Sequence, residues 1–318
     1  MFGRVSCKRS HRLLALAAFA LAALTGLRYL DQSVNQAGLL VFTGLTLTTG
    51  FFHGALDIVL IRREFVTARA LATAVVLYGG SAVLLAMLCV HSGGLMIVVL
   101  LLMSVWHFGE PYGRWANGRW DRRGWVQRVV AGGAPVMLPL LLSTHTLQSL
   151  LPMAFTLDAE SVFAIWQNLA WLWVGICVLG LAAYRQQLFS KPLMAEVAFV
   201  FAINLLLSPL MAFSIYFGVL HAGTHILKFF AKHRQQDEIA QKKGSFCVFN
   251  RAEGVAIIIT CLATASMMLI LSLYLQNATV FAGPHPRLLN WVLIALTAVT
   301  LPHLVLVSRN SPWLTQQS

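Results

Sequence analysis

The sequence predicts an all-α, polytopic transmembrane bundle of about ten spans, both termini cytoplasmic, forming one integral-membrane domain over residues 1–318. Three observations carry that expectation. The chain is 58% hydrophobic and only 11% charged. Its apolar runs repeatedly reach the ~20 residues a helix needs to cross a bilayer. Its Lys and Arg residues fall almost entirely on one side of the spans so drawn, as membrane topology requires.

Ten apolar segments follow one another at about 13–30, 38–61, 70–90, 93–112, 129–152, 161–184, 193–207, 210–231, 254–275 and 289–308. The first has basic residues ahead of an apolar run, as a cleavable leader does, but it lacks a clear small-residue cleavage site and is read as a span. The stretch 193–231 is too long for one membrane helix at ~1.5 Å per residue. Ser208-Pro209 marks its break, because proline disfavours helix in the residue before it. The loop at 113–128, rich in Trp and Arg, suits an interfacial segment with aromatic anchors.

With the amino terminus inside, all of the 23 Lys and Arg residues except Arg28 and Arg287 lie on the inner side. The formal net charge of +12 is thereby assigned to orientation and anionic headgroups, with no nucleic-acid partner. The five cysteines, Cys7, Cys89, Cys177, Cys247 and Cys261, show no Cys-x-x-Cys spacing and are read as packing residues.

Five histidines carry the chemistry: His53, His107, His221, His225 and His303. All lie on segments that run from the outer side inward, and at ~1.5 Å per residue four of them sit roughly 9–14 Å from the inner end, with His225 closer. Imidazole in hydrocarbon is costly unless partnered or bound, so several at one depth point to a shared metal site. His221 and His225, four residues apart, share a helix face. Asp57 stands four residues after His53 and Glu110 three after His107, placed to orient the rings by accepting their second N–H. His11, His91, His145, His233 and His285 lie in the tail, in loops or near helix ends and are left out. Imidazole suits zinc, copper, iron and nickel alike, so the donors do not name the metal.

At these segments the chain resembles the Brp/Blh family of β-carotene 15,15'-dioxygenases. The matching stretches are His53-Gly54-Ala55-Leu56-Asp57, Trp106-His107-Phe108-Gly109-Glu110, Tyr216-Phe217-Gly218 through His221-Ala222-Gly223-Thr224-His225, and Leu301-Pro302-His303-Leu304. The resemblance implies a multi-pass cell-membrane enzyme with Fe(2+) held by His53, His107, His221 and His225. Asp57 and Glu110 would then support the ligands, and His303 would be a support or a further ligand. It also implies dioxygen and a lipophilic carotenoid as substrates, with β-carotene split centrally into two retinal molecules. Trp106, Phe108, Tyr112, Tyr216 and Phe217 are candidates to line the polyene. Phe52 stands where the family commonly has proline, Leu220 where it has tryptophan, and Ala-Gly-Thr separates the paired histidines.

Other readings stay in view. A two-iron lipid desaturase or hydroxylase usually needs about eight histidines in boxes, against five candidates among the ten here. A bis-histidine haem would use only two of them. A metal or proton transporter would spread polar residues across depth, whereas these are concentrated inward.

Overall fold

The computed structural model describes residues 44–91, 93–112, 115–116, 119–120, 122–150, 159–188, 191–230, 253–262 and 284–310. Apolar segments without water to pair their backbone groups close those groups internally as helices. The described residues follow that rule, apart from a two-residue antiparallel ladder, β1 (Trp115–Ala116) with β2 (Arg119–Trp120).

A π-helical turn, Thr46–Gly50, runs into α1 (Phe51–Ala55) and, after a turn at Leu56, into α2 (Asp57–Glu64). Next come α3 (Ala68–His91) and α4 (Gly93–Phe108), the latter closed by a 3-10 turn at Glu110–Tyr112. Beyond the ladder lie α5 (Arg122–Leu142), α6 (Thr144–Leu150), α7 (Ala159–Leu188) and α8 (Lys191–Leu206). Then α9 (Pro209–Ile215) passes through a second π segment, Tyr216–Ala222, into α10 over 223–230. The described chain finishes with α11 (Glu253–Leu262) and α12 (Pro284–Asn310).

Among the described residues, four stretches are long and apolar enough to cross a membrane: Ala68–Cys89, Gly124–Leu142, Phe163–Ala182 and Pro209–Phe230. Pro192–Leu206, Glu253–Leu262 and Val292–Ser308 are shorter apolar helices. The expected first span at 13–30 lies outside the described residues. The expected segment at 129–152 divides, since Ser143 separates α5 from α6. The break at Ser208-Pro209 stands where the sequence put it. Ser208 is extended (φ −62°, ψ 155°), its side chain accepts from the Met211 N–H, and Pro209 opens α9, where its missing N–H is not needed.

Close helix approach depends on glycine. A Cβ on Gly132 of α5 would lie 1.8 Å from the Val105 carbonyl oxygen of α4, and one on Gly109 would lie 2.0 Å from the Arg128 carbonyl oxygen. The two backbones therefore touch, as small residues allow in membrane-type packing. Gly133 makes the same room for Trp173 of α7, whose indole N–H donates to the Val129 carbonyl at 3.1 Å. The Gly132-Gly133 pair is thus used inside the chain. The two π segments also meet through glycine: a Cβ on Gly50 would lie 2.8 Å from the Phe217 ring, and one on Gly218 2.9 Å from Leu45.

α3 packs on α12 through Ala86 and Cys89 against Ile294 and Ala298, while Val76, Leu77 and Leu84 on its other side are exposed, as suits a lipid-facing helix. Cys89, Cys177 and Cys261 are free thiols in partly or fully buried positions; Cys7 and Cys247 lie outside the described residues.

Gly132→Ala would drive a methyl into a carbonyl and is expected to cost about 1–3 kcal/mol. Gly79→Ala, where a Cβ meets nothing within 4 Å, is expected to leave stability unchanged or slightly raised. Thermal unfolding of the two variants in detergent checks the contrast.

Candidate metal centre

A buried imidazole needs its ring nitrogens occupied, and five helical elements bring five such rings together. His53 comes from α1, His107 from α4, His221 from the second π segment, His225 from α10 and His303 from α12. Every ring lies within 5.7 Å, centroid to centroid, of at least two others. His53, His107, His221 and His303 are buried and His225 is half-buried. By contrast His91 and His145 are exposed, and His11 and His233 lie outside the described residues.

Local irregularity aims these rings. The π segments at Thr46–Gly50 and Tyr216–Ala222 each insert extra backbone into a helical path, and such bulges recur at functional sites because they turn a side chain away from its regular register. His221 stands within one of them, and His53 follows the other by three residues. In α12, Pro302 removes a backbone donor just before His303, and Thr297 and Thr300 bond back to the carbonyls of Leu293 and Leu296 at 2.8 and 2.5 Å. Both features favour a bend there.

The nitrogens face inward. Nε2 of His53 and Nε2 of His303 are 3.1 Å apart, and Nε2 of His221 and Nε2 of His107 are 3.0 Å apart. Two imidazoles bound to one ion at ~2.0–2.1 Å hold their nitrogens about 2.9–3.4 Å apart, depending on the angle between them. The observed spacings match that requirement. One donor atom from each of His53, His107 and His303 also falls within 4.8 Å of the others. Nε2 of His225 and Nδ1 of His107 are buried without a hydrogen-bond partner. Buried polar atoms of this kind are normally satisfied; Nδ1 of His107 lies on the Glu110 side, whereas Nε2 of His225 is compatible with a guest that accepts a nitrogen lone pair, and a transition metal fits.

Carboxylates stand behind the rings. Asp57 is expected from the sequence to serve His53, four residues before it. The structure gives it instead to His303, whose Nδ1–H donates to both carboxylate oxygens at 2.8 and 3.0 Å. Leu56 keeps right-handed helical backbone (φ −65°, ψ −18°), and the Asp57 side chain is engaged by a partner from another helix. With hydrogen on Nδ1, the Nε2 lone pair of His303 points into the cluster. Glu110 lies 4.0 Å from Nδ1 of His107, on the helix side the sequence indicated.

Aromatic residues wall the cluster on one side. Phe108 meets His221 edge-on at 4.7 Å, and Phe217 lies nearly parallel to it at 6.1 Å and 15°. Tyr216 is stacked with His221 at 6.5 Å, and Phe213, which the sequence reading did not single out, stacks on Phe217 at 5.8 Å. Trp106 and Tyr112 have other engagements. The Arg128 guanidinium sits 3.7 Å over the Trp106 ring and donates to the Trp106 carbonyl at 2.9 Å. Tyr112 donates to the carboxylate of Glu196, which also receives the Tyr216 hydroxyl at 3.4 Å. Glu196 and Tyr78, whose hydroxyl donates to Asp57, are the polar residues of this neighbourhood that the sequence reading missed. An ionisable residue inside an apolar run was the available signal for Glu196. Nothing comparable marks a lone tyrosine.

A protein whose described residues are almost entirely helical, with four helices among them fit to cross a membrane and a buried polyhistidine cluster, falls in the class of membrane-type proteins with a potential metal centre. Over residues 44–309 the chain matches the family model described as β-carotene 15,15'-dioxygenase, and it belongs to that family. No curated protein and no solved structure shows significant similarity to it.

Glu196→Ala would leave the Tyr216 hydroxyl without its acceptor and the Tyr112 hydroxyl with only the Pro192 carbonyl at 3.5 Å. Each such loss in a buried setting costs about 1–3 kcal/mol. Glu196→Ala is therefore expected to lower the unfolding temperature more than Tyr112→Phe does, a ranking that a detergent melt of both variants tests directly.

Proposed function

We propose that the protein cleaves the central double bond of β-carotene with dioxygen, releasing two molecules of all-trans-retinal, at an iron centre held by histidines. The observation that carries the reading is the union of family membership with a buried histidine cluster whose donor atoms have the spacing of ligands to one ion. The bond count closes: one carbon–carbon double bond breaks, and each of its two carbons takes one atom of the same dioxygen. Fe(2+), when bound, supplies the redox chemistry that activates dioxygen, which closed-shell organic groups do not.

The protein's own residues supply position and environment. His53, His107, His221 and His225 are the proposed ligands, and His303, with its Nε2 directed at His53, is placed to join them. Asp57 fixes His303 through Nδ1, and Glu110 stands behind His107. Phe108, Tyr216 and Phe217 form an aromatic cluster, with rings inclined at 75° and 55° to Phe108, against which a conjugated chain packs, and aromatic faces also stabilise developing positive charge. Trp106 and Tyr112 contribute from behind that side, Trp106 held by Arg128 and Tyr112 by Glu196. Burial of the cluster excludes bulk water, and a carotenoid reaches it from the bilayer. Ten spans in the cell membrane, both termini cytoplasmic, complete the proposal.

Expression in β-carotene-accumulating bacteria, with chromatography of the extracted pigments, tests the activity. The wild-type chain is expected to consume carotene and yield retinal, and His53→Ala and His221→Ala to lose at least about a hundredfold of the product. Persistent carotene beside folded, iron-loaded wild-type protein would overturn β-carotene as substrate. For the cofactor, chelation of the purified protein is expected to abolish cleavage and Fe(2+) to restore it, with zinc unable to do so because it has no redox chemistry.

A further inference from the structure

Tyr78 sits on α3, an element that carries none of the five clustered histidines. Its hydroxyl donates to Oδ2 of Asp57 at 2.6 Å, the same carboxylate that accepts Nδ1–H of His303 at 2.8 and 3.0 Å. Nε2 of His303 in turn lies 3.1 Å from Nε2 of His53. Four residues from four helices thus form one line of contacts ending in the cluster: Tyr78 from α3, Asp57 from α2, His303 from α12 and His53 from α1.

From this geometry we infer that Tyr78 is a positioning residue for the metal centre, acting through Asp57 on His303; the inference rests on the metal reading proposed above. Asp57 alone can rotate about its side-chain torsions, because His303 engages both of its oxygens from one direction. The phenol hydroxyl comes from a second helix and pins Oδ2, which removes that freedom. A carboxylate so held fixes both the tautomer and the plane of the ring it accepts from. The packing of α3 on α12 sets the register: Ala86 and Cys89 follow Tyr78 along one stripe, and they meet Ala298 and Ile294, which precede His303 on α12. The antiparallel pair therefore brings Tyr78 to the level of His303. Were Tyr78 merely a buried phenol in need of an acceptor, loss of its hydroxyl would change stability alone and leave the affinity of the cluster untouched.

The test compares wild type, Tyr78→Phe, Asp57→Asn and the double variant as full-length protein in detergent. Fe(2+) affinity is measured by competition with a chelator, the absorption of the Co(2+)-substituted protein reports the ligand field, and the melting of the metal-free protein reports the fold. Removal of an outer-shell partner of a ligating histidine weakens metal binding about 10–100-fold. Tyr78→Phe is expected at the low end, about tenfold, with a shifted cobalt spectrum and metal-free melting close to wild type. The double variant is expected to bind no more weakly than Asp57→Asn, since both act along one line. Iron affinity of Tyr78→Phe within twofold of wild type overturns the assignment, as does a fall that metal-free destabilisation fully accounts for. A wild-type chain that takes up no metal overturns the metal reading and this inference together.

Discussion

Everything in the structure depends on keeping five imidazoles in mutual contact inside an apolar bundle. Each ring carries two nitrogens that water would otherwise satisfy, and hydrocarbon offers no substitute. The facing nitrogens of His53 with His303 and of His107 with His221 are therefore the constraint the rest of the fold answers to. Two such pairs can each share one hydrogen, yet Nε2 of His225 still lacks a partner. A cluster left partly unsatisfied as a hydrogen-bonded core is well matched as a set of ligands.

The helices meet that constraint through local departures from regularity. Two π segments and Pro302 beside His303 each alter the path of a helix close to a histidine. Glycines at 50, 109, 132 and 218 then let the altered helices approach to backbone or ring contact. Regular helices would pack more simply, and the irregularity is concentrated where the rings converge. Behind the rings, buried Asp57 accepts from the Tyr78 hydroxyl and His303, and half-buried Glu196 accepts from the Tyr112 and Tyr216 hydroxyls, so two carboxylates tie the cluster to its surroundings. The Arg63 guanidinium, bonded to Glu253 at 2.8 and 3.1 Å, ties α2 to α11 in the same manner.

Much of this was legible in the sequence, and the physical reasons for the rest can be named. The five histidines stood out because imidazole is rare in apolar runs, and the structure brings all five together. Ser208-Pro209 was legible because proline acts on its immediate neighbours. Asp57 was assigned to His53 on helical spacing, and its carboxylate accepts from His303 of α12, a long-range partner that local spacing does not encode. Tyr78 and Phe213 were invisible because their roles depend on which helices become neighbours, a long-range property that no local pattern encodes. The apolar stretches at 38–61 and 129–152 were read as continuous, since hydropathy records composition and is blind to a π turn or to a one-residue break at Ser143.

The central claim is that the cluster is a metal centre, and elemental analysis of the purified full-length chain is its most direct test. The account predicts about one transition-metal ion per chain in wild type, with iron as the metal that supports cleavage, and loss of that ion in a folded His107→Ala variant. A folded wild-type protein that converts carotenoid while carrying no stoichiometric metal would contradict it.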